Sequence, residues 1–124
     1  MVKKFAPFIL LFILAFAFIW IKNTPSAQGD ETNFNRHYNS IRYSKHALCR
    51  MDCRHIDATE IKEIIARGTV NRRRTQQSEK GTSYALEGKT ADGQNVRIIV
   101  APKSGDLVVV TVIDLQREWQ CNCN

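Results

Sequence analysis

An α+β fold with an apolar leader follows from three features of the chain. An uncharged run from Phe5 to Ile21 opens it, residues 44 to 68 carry the signals of two short capped helices, and from Thr69 onward apolar residues follow a period of two between turns. Helices followed by a run of strands, rather than alternating with them, predict two helices packed on a three- to four-stranded antiparallel sheet.

The leader reads as a membrane helix or a signal peptide. Lys3 and Lys4 precede the apolar run, whose length sits at the short limit of a membrane span and beyond a signal-peptide core. Trp20 followed by Lys22 has the character of an interface anchor. Pro25-Ser26-Ala27 offers a peptidase small residues, yet Pro25 occupies a position where cleavage favours Ala. Both outcomes place the remainder outside the cytoplasm by the positive-inside bias, against which Lys22, Arg36 and Arg42 weigh. The expected organisation is a leader over residues 1–27, a linker over 28–42 and one small domain over 43–124.

In the domain, Ser44 caps a helix reaching about His55, with Ala47, Leu48 and Met51 on one face and His46, Cys49 and Cys53 in a stripe on the other. Asp57 and Glu60 form a capping box, Ile56 and Ile61 a hydrophobic staple, and Gly68 ends a second helix whose inward face is Ile61, Ile64 and Ile65. A weak strand over Val70 to Thr75 is followed by a polar loop, Gln76 to Gly81. A strand over Ser83 to Thr90, an Asp92-Gly93 turn and a strand over Asn95 to Ala101 come next. Pro102 to Asp106 then turns the chain into Leu107 to Leu115, a valine-rich strand expected to be buried on both faces.

Four cysteines punctuate this plan. Cys49 and Cys53 share a helix face, and Cys121 and Cys123 share a face if the C-terminus is extended. They suit either two disulfides or one four-sulfur zinc site. An even cysteine count in a small exported domain favours disulfides, and the C-x-x-x-C and C-x-C spacings differ from the usual zinc knuckles. His46 and His55 beside the first pair keep zinc as the alternative. The three possible pairings stay open, and no other cofactor is expected.

Charge gives a weaker signal. The chain has 18 Lys+Arg and 12 Asp+Glu, but Lys3, Lys4 and Lys22 lie in the leader and no acid precedes Asp30. The body therefore keeps 15 basic against 12 acidic residues, a net charge of +3. Arg72-Arg73-Arg74 is the one basic cluster, most simply a solvated edge or loop. There is no phosphate-cradling glycine loop, no H-E-x-x-H and no G-x-S-x-G.

His46-Ala47 with Arg50-Met51 and Arg54, Ile56-Asp57 ahead of an acidic helix, and Val110-Thr111-Val112 in the last strand resemble the bacterial domain of unknown function 4258. The resemblance runs from about Tyr43 to Leu115. That family is similar to the RelE-like and colicin-type ribonuclease fold, in which helices precede an antiparallel sheet and RNA is cut without metal. The resemblance implies that His46, Arg50, Arg54, Arg97 and Thr111 would line any active cleft. The four cysteines and the leader depart from the family pattern, and an exported domain meets little RNA.

Metal-free RNA cleavage needs a base, an acid and cations on the phosphorane. His46 has the chemistry of the first two, and Arg50, Arg54 or Arg97 that of the last. The competing reading makes both histidines surface or capping residues, pairs the helix arginines with Asp52, Glu60 or Glu63, and pairs Arg97 with Glu87 across the sheet. The sequence thus predicts an envelope domain, membrane-anchored through residues 5–21 or secreted. Its expected role is to bind a protein or small anionic ligand without catalysis, through the arginine-rich helix face and Arg97. Its rivals are a metal-independent endoribonuclease acting on RNA and a zinc-stabilised small domain.

Overall fold

Helical and strand periods separate along the chain as the sequence predicts, and the computed structural model describes residues 6–23 and 34–123 of it. Met1 to Lys4, Pro25-Ser26-Ala27 and the first part of the expected linker lie outside the described residues. Two compact units form, Met1–Glu31 and Thr32–Asn124.

The first unit carries helix α1, Ala6–Asn23. Ile9 to Leu14 and Phe16 are exposed along it, from 59% to 76%. Among the described residues no helix, α1 included, is long and apolar enough to cross a membrane. Its 18 residues rise about 27 Å, against a hydrocarbon core of about 30 Å, and the last two are Lys22 and Asn23.

The second unit follows the order β1 (Ile41–Tyr43), α2 (Lys45–Cys53), α3 (Ala58–Arg67), β2 (Thr69–Val70), β3 (Gln76–Ser78), β4 (Gly81–Lys89), β5 (Asn95–Lys103) and β6 (Asp106–Asp114). It is α+β, with helices on one face of a sheet ordered β1-β6-β5-β4-β2, β3 extending the pairing along β4. The expected three- to four-stranded antiparallel sheet is corrected to six strands and mixed pairing, because β1 lies parallel to β6. Residues 41–43 belong to the stretch read as linker.

Local signals account for the helices. Ser44 Oγ accepts the Ala47 amide at 3.0 Å, and α2 ends at Cys53 rather than His55, which adopts a left-handed φ of 54°. Asp57 and Glu60 close the capping box from both sides, and Gly68 caps the other end of α3. Ile56, Ile61, Ile64 and Ile65 are all buried, so staple and inward face sit as read from their spacing. They meet Leu86 of β4, Val96, Ile98 and Val100 of β5, and Leu107, Val109 and Val112 of β6 in one core.

The strands depart further from expectation. The weak strand over Val70 to Thr75 shrinks to two residues, and Gln76–Ser78, expected as loop, pairs with Gly81 to Ser83. Gly81, at φ 118°, makes that turn in a conformation side chains resist. β6 is not buried on both faces: Leu107, Val109 and Val112 are buried while Val110 is 38% exposed. The register explains the change of phase. Val100 faces Val109 and Ile99 faces Thr111, so Val110 is the extra residue of a bulge. Gly88 lets β4 approach α3, since a Cβ there would stand 3.0 Å from Ile64 Cγ1.

Candidate functional site

Helix α2 hangs from the free edge of β6. β1 pairs with Leu107 to Val109 only, so the rest of β6 lacks a strand on that side. Ser44 replaces it first: its amide donates to the Val109 carbonyl at 3.0 Å and its hydroxyl to the Val110 carbonyl at 2.8 Å. One turn apart, Arg50 of α2 donates to Thr111 Oγ1 at 2.7 Å and Arg54, which caps the helix, to the Val112 carbonyl. Ala47 and Met51 on the same helix point into the core. The structure thus brings Arg50, Arg54 and Thr111 together, but as a cover for a sheet edge. The expected pairing of Arg50 and Arg54 with Asp52, Glu60 or Glu63 is not what forms, since the β6 groups lie nearer.

Arg97 stands on the sheet face turned away from the helices, between fully buried Val96 and Ile98. Directly across the ladder, Glu87 accepts from its Nη2 at 2.6 Å and its Nε at 2.7 Å. Asn71 Nδ2 donates to the same carboxylate oxygen at 2.9 Å. The Asn71 hydrogen bond foremost, against the opposing effect of burial and with help from Arg97, holds the Glu87 carboxyl below its usual range. Thr111 lies diagonally from Arg97 on that face, yet its hydroxyl is taken by Arg50. His46 is half-buried on α2, and among the described residues it joins no ion pair.

Two disulfides close the cysteine cluster. Cys49 is bonded to Cys123 and Cys53 to Cys121, with Cα atoms 5.7 and 5.9 Å apart. The tail therefore runs antiparallel to α2, as irregular chain rather than the strand expected of C-x-C. The zinc alternative is corrected here: sulfur bonded to sulfur offers no thiolate to a metal. Among the described residues no three His, Cys, Asp or Glu side chains are grouped to hold a metal ion.

A hub that the sequence reading passed over turns the tail back. Asp114 Oδ1 accepts the amides of Gln116 and Arg117 at 3.0 and 3.1 Å. Its Oδ2 accepts from Trp119 Nε1 at 3.0 Å and Gln94 Nε2 at 3.3 Å, while Gln94 also donates to the Arg54 carbonyl at 2.9 Å. Burial opposes ionisation of Asp114, but the bonds from Trp119, Gln116, Arg117 and Gln94 prevail and hold its pKa down. Burial and then the charge of Arg50 lower the pKa of Arg54, with Asp114 opposing them. Trp119 lies edge-on to His55 at 5.4 Å and under the Arg117 guanidinium at 3.9 Å. An Asp taking the amides two and three residues on is an Asx turn, a legible cue at Asp114-Leu-Gln-Arg.

Chemically, the arrangement holds cations already bound to neutral oxygens or to one carboxylate, and a histidine that joins no ion pair among the described residues. Comparison with known proteins gives a match to a family model described as Domain of unknown function (DUF4258), over residues 43–114. No curated protein and no solved structure matches the chain. The matched span begins at the end of β1, takes in both helices, the Glu87–Arg97 pair and the arginine cover of β6, and stops at Asp114. It exceeds half of the 124 residues, and the chain belongs to the DUF4258 family.

Proposed function

We propose that this chain is an envelope protein whose small domain binds a partner without catalysis, exported behind residues 5–21 as a membrane anchor or secreted after their removal. The observation that carries the reading is the pair of disulfides between α2 and the tail, since such bonds persist in oxidising compartments. The exposed apolar side chains of α1 support a membrane or export role for the leader, because water is a poor solvent for them. Against catalysis speaks the employment of the candidate residues. Arg50, Arg54 and Arg97 each serve an internal acceptor, so a phosphate would have to displace bonds that cover β6 or link β5 to β4. The binding role then falls to surfaces outside this cluster, rather than to the arginine-rich helix face and Arg97.

The test is RNA cleavage by the full chain with its disulfides intact and, separately, reduced, beside His46→Ala. The expected result is no cleavage by any of them. Cleavage by the native chain that His46→Ala abolishes would replace the binding reading with the endoribonuclease one.

A further inference from the structure

Both disulfides end on the same short segment, and that segment adds no side chain to the hydrophobic cluster. The cluster runs from Phe34 to Val112, and every member of it precedes the tail. Leu115 is the last residue whose amide reaches a main-chain partner outside the tail, donating to the Asn95 carbonyl at 2.8 Å. From Gln116 to Cys123, among the described residues, no main-chain group bonds to the main chain of a helix or strand. Gln116 and Arg117 donate to the Asp114 side chain, and Cys121 to the Trp119 carbonyl at 3.0 Å.

Sulfur and one indole fix the tail. Cys123 is bonded to Cys49 and Cys121 to Cys53, while Trp119 donates to Asp114 and lies against His55. α2 is held to the body without the tail: Ala47 and Met51 are in the core, and Ser44, Arg50 and Arg54 donate to β6. A disulfide acts mainly by restricting the unfolded chain, so breaking both bridges removes no contact that shapes the core. The two bridges also differ in access. Cys53 and Cys121 are both half-buried, whereas Cys123 is only 8% exposed, so an incoming thiol reaches Cys53–Cys121 first.

We propose that Leu115–Cys123 is a strap that a dithiol protein opens without unfolding the domain, uncovering the face of α2 that carries Cys49 and Cys53. This redox control goes beyond the binding reading above and is independent of it. At each bridge a thiolate of the dithiol attacks one sulfur, the S–S bond breaks, and the other sulfur leaves as a thiolate that takes up a proton. The second thiol of the partner then resolves the mixed disulfide. Two electrons and two protons thus pass to the chain at each bridge, and the dithiol is oxidised to a disulfide. Opening Cys53–Cys121 loosens the near end of the tail, and opening Cys49–Cys123 frees the far end. Trp119 then leaves His55, while Asp114 keeps Gln94 as a donor. The uncovered helix presents two thiols one turn apart, a surface that the closed chain does not offer.

The experiment titrates the full chain, in neutral detergent micelles, with dithiothreitol as the dithiol, and follows it by alkylation mapping and amide NMR spectra. The first intermediate is expected to carry label on Cys53 and Cys121 with Cys49 still joined to Cys123. At full reduction the amide signals of α2, α3 and β4 to β6 are expected to keep their positions, while those of Gln116 to Cys123 move to random-coil values. Exchange of the Trp119 indole proton should then quicken about tenfold or more, since its bond to Asp114 is lost. Combining Cys49→Ser, Cys53→Ser, Cys121→Ser and Cys123→Ser should give the same two-part spectrum with no reductant present. Collapse of the α3 and β4 to β6 signals on full reduction would show that the bridges hold the domain itself, and would overturn the strap. Tail signals that stay in place after full reduction would overturn it equally, as would opening of Cys49–Cys123 ahead of its neighbour.

Discussion

Asp114 ties three parts of the domain through one carboxylate: the tail by Gln116, Arg117 and Trp119, the loop before β5 by Gln94, and through Gln94 the end of α2. The folded chain holds it below the ordinary value of 3.8, and holds Glu87 below 4.5. A carboxylate with a depressed folded pKa stabilises fully above its unfolded value and loses that contribution as pH falls through the folded one. Resistance to urea is therefore expected to be level between about pH 5 and 7 and to fall below about pH 4. Asp114→Asn should flatten part of that fall. Arg97→Met strands the Glu87 carboxylate with Asn71 alone and should cost about 1–3 kcal/mol by urea unfolding, most of it recovered by adding Glu87→Leu. The Arg97–Glu87 pair was legible because a guanidinium on a strand of valines and isoleucines needs a partner across the ladder. The role of Asp114 was hidden, because two of its donors, Gln94 and Trp119, are side chains whose approach depends on the tertiary path.

Legibility among the elements follows the range of the forces that make them. α3 could be read from ten residues because its capping box, staple and isoleucine face are local. β1 could not: its partner Leu107 to Val109 lies more than 60 residues away and no short-range period marks three residues. β3 is polar and wholly exposed, so hydropathy reads it as loop, and backbone pairing to β4 alone makes it a strand. The bulge at Val110 belongs to the same class, since a run of valines does not announce where its phase will break. α2 was located by its cap, but the destination of its arginines was not, because their acceptors sit on β6. Arg54→Ala uncovers the Val112 carbonyl and should cost about 1–2 kcal/mol, with faster exchange of amides at the C-terminal end of β6 than in the wild type. Gly88→Val forces β4 and α3 apart at Ile64 and should cost about 1–3 kcal/mol, read as a lower melting temperature.

The whole domain is small, and its core of isoleucines and valines is stapled at one side by two covalent links spanning 74 and 68 residues of sequence. Cys49→Ser with Cys53→Ser is expected to lower stability by about 2–5 kcal/mol, a loss that full reduction of the wild type should reproduce. The even cysteine count and the export expected of the leader made bridges the favoured reading, while the pairing needed the fold, which sets the tail antiparallel to α2. The same bridges carry the case for the export proposed above. The most direct measurement is the mass of the protein taken from its native cells after alkylation without reduction, followed by mapping of the linked peptides. The expected result is an unalkylated chain lacking the four hydrogens that two disulfides remove, with Cys49 joined to Cys123 and Cys53 to Cys121. Four alkylated thiols would place the domain in a reducing compartment and bring RNA cleavage back to the front.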